Sequence, residues 1–286
     1  IDWGTVSGFD ANAFAVDTTG FSGTAPVGTW TFSNTDGYLK LAYAAGDPTW
    51  NGGTGNWNNG FTPNLTGGNM SIYFAGNNTA TATNNIASAT VGSVASITFN
   101  STAGAYTLAA NSGSAGYNAT SALELLGNIV NNSNATQTIN LALTSNATRV
   151  YDAAAGNMTI GGAISGTGGL TKNGSNTLAL SGVNTYNGST TINAGTLTIS
   201  GTGQLASGTY SGNISNAGTF NYASSANQTL SGIISGTGAL TKDGASTLTL
   251  TGVNTYNGST TITAGTLTIG GAGQLGSGSY SGNISN

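Results

Sequence analysis

The sequence has no cysteine, no histidine, three prolines and only 4% charged residues. Each scarcity removes a class of protein. Without cysteine there are no disulfide staples, no thiolate metal sites and no thiol nucleophile. A globular domain ordinarily carries roughly a quarter of its residues as charges. The strong helix formers Glu, Lys and Arg are nearly missing, so long surface helices are not expected. The four bases, Lys40, Arg149, Lys172 and Lys242, form no run. That argues against nucleic acid as a partner. No apolar stretch reaches the length of a membrane span.

What fills the gap is small and polar. Among 286 residues there are 47 glycines, and Asn, Ser, Thr and Ala dominate the rest. High glycine with low charge is shared by disordered chains and by stacked β-structure. Leu, Ile, Val, Phe and Tyr recur here in short alternating clusters, which gives the chain apolar surface to bury. Ordered β-structure is therefore expected. Ile1 stands first, without an initiator Met or a signal peptide. The chain is read as processed, truncated or a window from something longer.

A long internal repeat organises the second half. Residues 161–216 align with 231–286 at an offset of 70 without a gap, and 43 of the 56 positions are identical. Nearly all the differences exchange Gly, Ala, Ser, Thr, Asn and Asp; Ala163 against Ile233 is the exception. Within each copy the period is two, as in Thr177-Leu-Ala-Leu180, Thr196-Leu-Thr-Ile199 and Thr247-Leu-Thr-Leu250. That is the alternation of a half-buried strand. Asn173-Gly174, Asn187-Gly188, Asp243-Gly244 and Asn257-Gly258 are turn signals. The best helical candidate, Ser121 to Ile129, contains Gly127.

Asn-Gly turns also suit antiparallel hairpins, so turns do not decide the architecture. The near-exact repeat, the small residues between strands, and apolar residues returning about every 20 positions (Ile160, Leu180, Ile199, Phe220) favour stacked coils. With ~20–23 residues to a coil, a repeat is expected to span about three coils. Ten to twelve coils would make a rod of about 50–60 Å.

Two stretches resemble the autotransporter-associated β-strand repeat, also called the passenger-associated transport repeat. The first is Ile164-Ser-Gly-Thr-Gly-Gly-Leu-Thr-Lys172, then Asn176-Thr-Leu-Ala-Leu-Ser-Gly182, Asn184-Thr-Tyr186 and Thr190-Thr-Ile-Asn-Ala-Gly-Thr-Leu-Thr-Ile199. The signature returns from Ile234 to Ile269. Trp50-Asn-Gly-Gly-Thr-Gly-Asn-Trp57 and Ile97–Leu108 resemble the opening of large secreted proteins of this type. Phe14–Phe21, Gly28–Trp30 and Leu39–Tyr43 resemble the module that usually closes such an array. The resemblance implies an all-β fold, a right-handed parallel β-helix, with export and extracellular or surface display. It suggests a division into an N-terminal β module at 1–46, a divergent solenoid at 47–160, a first repeat at 161–230 and an incomplete second at 231–286. A complete autotransporter also has a C-terminal membrane barrel, which this sequence does not show.

Parallel β-helices include carbohydrate-active enzymes, whose chemistry needs clustered carboxylates. The acids are Asp2, Asp10, Asp17, Asp36, Asp47, Glu124, Asp152 and Asp243, and five of the eight precede residue 50. The only one in the repeats, Asp243, reads Asn173 in the other copy. No catalytic, cofactor or metal residue is expected. Trp50 and Trp57 are read as an end cap for the core, with stacking on a sugar ring as the alternative. Tyr186 and Tyr256 are read as stacking in register or covering a loop. Lys172 and Lys242 stand beside turns and are read as solvated edge charges that discourage wrong strand pairing.

The expected function is structural: a stiff extracellular fibre or surface filament, with the chain itself as partner, end to end. An adhesin stalk is the alternative, with cell-surface or matrix glycans as partners. A surface so poor in ionisable groups responds little to pH or salt, and near-neutral faces associate side by side.

Overall fold

The structure, a computed structural model, describes residues 71–76, 92–109 and 122–286 in full. It describes the backbone alone of 28–35, 38–45, 49–50, 55–56, 61–62, 70, 80–84 and 110. Gly28–Thr35 and Tyr38–Ala45 form an antiparallel pair, with Gly28 opposite Ala45 and Thr35 opposite Tyr38. From Thr49 onward the strands join sheets that are parallel throughout, apart from one short antiparallel pairing of Thr49–Trp50 with Phe61–Thr62. Among the described residues there is no α-helix. The protein is an all-β parallel β-solenoid.

Each turn has three sides, named first, second and third in the order the chain meets them. One turn runs through Leu123–Leu125, Ile129–Asn131 and Gln137–Ile139. The next runs through Leu143–Thr144, Arg149–Asp152 and Met158–Ile160. Each strand pairs in parallel with its counterpart one turn earlier. Ser93–Phe99 is long enough to serve two sides, and it meets Leu123–Leu125 with its first half and Ile129–Asn131 with its second. The third side is the longest uninterrupted stack, at eleven strands. At ~4.8 Å per step it is about 50 Å tall. Within the helical candidate Ser121–Ile129, the described residues 122–129 are a strand, a corner and the start of the next strand. Gly127 turns that corner, where a Cβ would come 2.0 Å from the Ala95 carbonyl oxygen.

Alternation decides which residues face the core. In Thr177–Leu180 and Thr196–Ile199 the leucines and isoleucine are buried and the intervening Thr and Ala are partly exposed. Stacking then builds continuous apolar columns. On the third side Met158, Leu178, Leu197, Phe220 and Leu240 form one column, and Ile160, Leu180, Ile199 and Tyr222 form another. All nine are fully buried. Tyr222, not Phe220, is thus the residue beneath Ile199; Phe220 lies beneath Leu197. Each such side chain contributes roughly 1.5–3 kcal/mol by leaving water.

Corners are made of glycine because successive coils nearly touch there. At the corner between the second and third sides, a Cβ on Gly218, Gly238, Gly258 or Gly282 would lie 2.2–2.3 Å from the carbonyl oxygen of the glycine one coil before. No side chain fits in that space.

The 70-residue repeat spans about three coils, but not a whole number of them. Ile164–Ser165 lies on the first side, paired with Leu143–Thr144, whereas Ile234–Ser235 lies on the second, paired with Ile214–Asn216. Leu170–Asn173 is on the second side, and its counterpart Ala239–Lys242 is on the third. Thr177–Leu180 is on the third, and Thr247–Leu250 is on the first, in the stack that starts at Thr209–Tyr210. That stack continues the first side, because Thr185 donates its N–H to Ile164 and Asn184 donates to Gln204. One repeat therefore crosses ten sides, an average of seven residues each, and makes three and one-third turns. The second copy is built on sides rotated by about 120° from those of the first.

Candidate functional site

Trp50 lies on the strand Thr49–Trp50, parallel to Met70–Phe74 with Trp50 opposite Phe74. Its side chain and the whole of Trp57 lie outside the described residues, as do the N-terminal acids from Asp2 to Asp47. Glu124 sits on the first side and Asp152 on the second, while Asp243 follows the third-side strand. Among the described residues, no three of Asp, Glu, His and Cys gather in a group that could hold a metal ion.

The constellation that recurs in both copies is internal. Asn184 and Asn254 are fully buried. Asn184 accepts from the Ile164 N–H at 3.0 Å, and its amide donates to the Gly182 carbonyl at 2.9 Å and the Gln204 carbonyl at 3.1 Å. Asn254 repeats this with Ile234, Gly252 and Gln274 at 2.9, 2.8 and 3.1 Å. One side chain thus ties three successive coils together. Two residues on, Tyr186 is linked through Thr190 Oγ1 to Tyr210, at 2.9 and 2.8 Å. Tyr256, Thr260 and Tyr280 do the same. Tyr186 and Tyr256 therefore do not stack on one another. Each packs edge-on against the tyrosine of the next coil, with centroids 5.8 and 5.4 Å apart. Burial raises the Tyr186 and Tyr256 hydroxyls well above the ordinary value, and takes Tyr210 to about 12.

The sequence reading missed the asparagine clamp. Its signal was available, because Gly182 to Ile192 is unchanged at Gly252 to Ile262. Such identity at an Asn in a variable polar background marks a side chain with a fixed set of partners.

Lys172 and Lys242 correct the expectation of solvated edge charges. Both are fully buried. Lys172 lies in a core column between Tyr151 and Ile192, and Lys242 lies between Tyr222 and Ile262. The Lys172 ammonium donates to the carbonyls of Asn173 and Gly174, each at 2.7 Å, and of Ala194 at 3.1 Å. Lys242 donates to Gly244 and, at 3.3 Å, to Ala264, and stands 5.7 Å from the centre of the Tyr222 ring. The reason is geometric. Corner carbonyls point inward, and a lysine stem reaches along the apolar column to place three donors among them. Burial lowers Lys172 to about 8, opposed by the Asp152 carboxylate. Lys242 is lowered in the same way, opposed by Asp243.

These ladders are those of a β-solenoid repeat protein whose polar interior is used to hold coil to coil. Compared with known families, the chain matches the passenger-associated transport repeat twice, at residues 170–199 and 240–269. Each match begins at Leu-Thr-Lys and ends at Thr-Leu-Thr-Ile. No curated protein and no solved structure matches the chain. The repeats and the solenoid together fit an autotransporter passenger domain, which implies a secreted or cell-surface protein.

Proposed function

We propose that this chain is a stiff extracellular structural rod that lengthens end to end into a fibre, and that it carries out no catalysis. The observation carrying this reading is the use made of its polar groups. Asn184, Asn254, Lys172 and Lys242 are all buried and spent on neighbouring backbone. Every described coil in the repeats stacks on the last through the same parallel ladder, so a further coil adds length without a new design.

Negatively stained images of the native material test this. Long filaments one solenoid wide are expected, and isolated short rods on the cell surface would overturn the fibre. The second reading is a stalk bearing a glycan-binding tip, for which the Trp50 to Trp57 segment is the place to look. Glycan binding abolished by Trp50→Ala would favour the stalk.

A further inference from the structure

From the ten-sided repeat we infer a device against side-by-side packing. A surface this poor in charge lacks the repulsion that ordinarily keeps proteins apart. Exposed strands and apolar residues are then free to meet those of another rod. The repeat carries such residues on its outside. Val183 and its counterpart Val253 are 42% and 41% exposed.

A repeat of nine sides would place both copies of this valine on one side of the rod, in line. Two rods could then engage both at once. With ten sides the two part. Val183 lies on the first side, bridged to Gln204, and Val253 on the second, bridged to Gln274. Two straight rods touch along one line, so a valine on the first side and its copy on the second cannot both face the same neighbour. In an array continued at this spacing, only one copy in three would return to a given side. Association through the repeat is held to single, weak contacts while growth along the axis is untouched. This holds for a fibre and for a stalk alike.

The second copy can be brought into line. Deleting residues 224–230 removes one side and shortens the offset from 70 to 63 residues. Copy two then starts on the first side, where copy one already shows that this sequence folds. Duplicating 224–230 instead gives eleven sides and leaves the copies out of line, with the same segment disturbed. Because the chain has no cysteine, labels at Val183→Cys and Val253→Cys report the phase directly by their separation.

The readout is rod width and lateral pairing against concentration, which end-to-end growth does not alter. The deletion variant is expected to pair laterally at a concentration about a hundredfold lower than the natural chain, the gain from engaging both copies' contacts together. The duplication should behave like the natural chain. Equal pairing by deletion and natural chains overturns the inference, as does pairing by the duplication. If the deletion variant does not fold, the natural chain decides. Its rods should stay one solenoid wide, and side-by-side bundles overturn the inference.

Discussion

The two copies of the repeat share 43 of 56 residues, yet they differ in where they lie and in what covers them. Leu197 and Ile199 in the first are fully buried beneath Phe220 and Tyr222. Their counterparts Leu267 and Ile269 are partly and largely uncovered. The local constellation is unchanged: the asparagine clamp makes the same three bonds in both, although the second copy is rotated by one side. Strand, corner and clamp are therefore properties of the repeat. Side and burial are properties of the coils on either side of it.

The largest test of this contrast is Leu197→Ala against Leu267→Ala. The first should cost about 2–5 kcal/mol, as expected for a cavity in a packed core. In unassembled rods of these 286 residues the second should cost under ~1 kcal/mol, because Leu267 is only partly covered there. That cost should rise toward the first once another coil stacks on it. Urea unfolding of unassembled rods reads the difference, and equal costs there would break the distinction between the copies.

The clamp should show the opposite pattern. Asn184→Ala and Asn254→Ala each leave buried backbone groups unpaired, at about 1–3 kcal/mol. The two losses should agree, since the bonds do. Amide exchange at Ile164 and Ile234 should accelerate in the respective variants, and a loss at one site alone would mean the clamp depends on the side it occupies.

The lysines sharpen the comparison. Lys172 has three carbonyl acceptors and Lys242 two. Lys172→Met should destabilise by about 1–3 kcal/mol, and Lys242→Met by less. Their titration is predictable in sign. With Lys172 at about 8 when folded and 10.5 otherwise, the unfolded chain binds more protons between these values, so stability rises with pH across that window. The buried tyrosines act the other way. Tyr186, Tyr210 and Tyr256 lie above their ordinary value of 10.0, so the stability they confer is present below pH 10 and lost as pH climbs toward their folded values. Thermal melts should therefore peak near pH 10, and a flat profile from pH 8 to 10 would show that burial does not lower the lysines.

The smallest effect concerns one backbone position. Ala206 adopts φ 43°, where the second copy has Gly276 at φ 56°. Ala206→Gly should stabilise by up to about 1 kcal/mol by relieving the left-handed strain. No gain would show that Ala206 contributes packing that Gly276 does not.

The fold was legible in the sequence to an unusual degree. Thr-Leu-Thr-Ile alternation marks a half-buried strand wherever it stands, and glycine corners mark where it turns. The lysines were not legible, because a lysine is ordinarily exposed. Only the stacked column shows that Lys172 has apolar neighbours above and below and carbonyls at its tip.

The sequence by itself determined the repeating chemistry: alternating strands, glycine corners, an invariant Asn-Thr-Tyr and too few charges for an ordinary surface. Those are local properties, written in runs of about seven residues. Tertiary structure alone decided the phase. The three sides of the coil accept the same strand equally well, so nothing in a single repeat says which side it will occupy. That is settled by counting sides from the coils before it, and burial is settled by whether a coil follows.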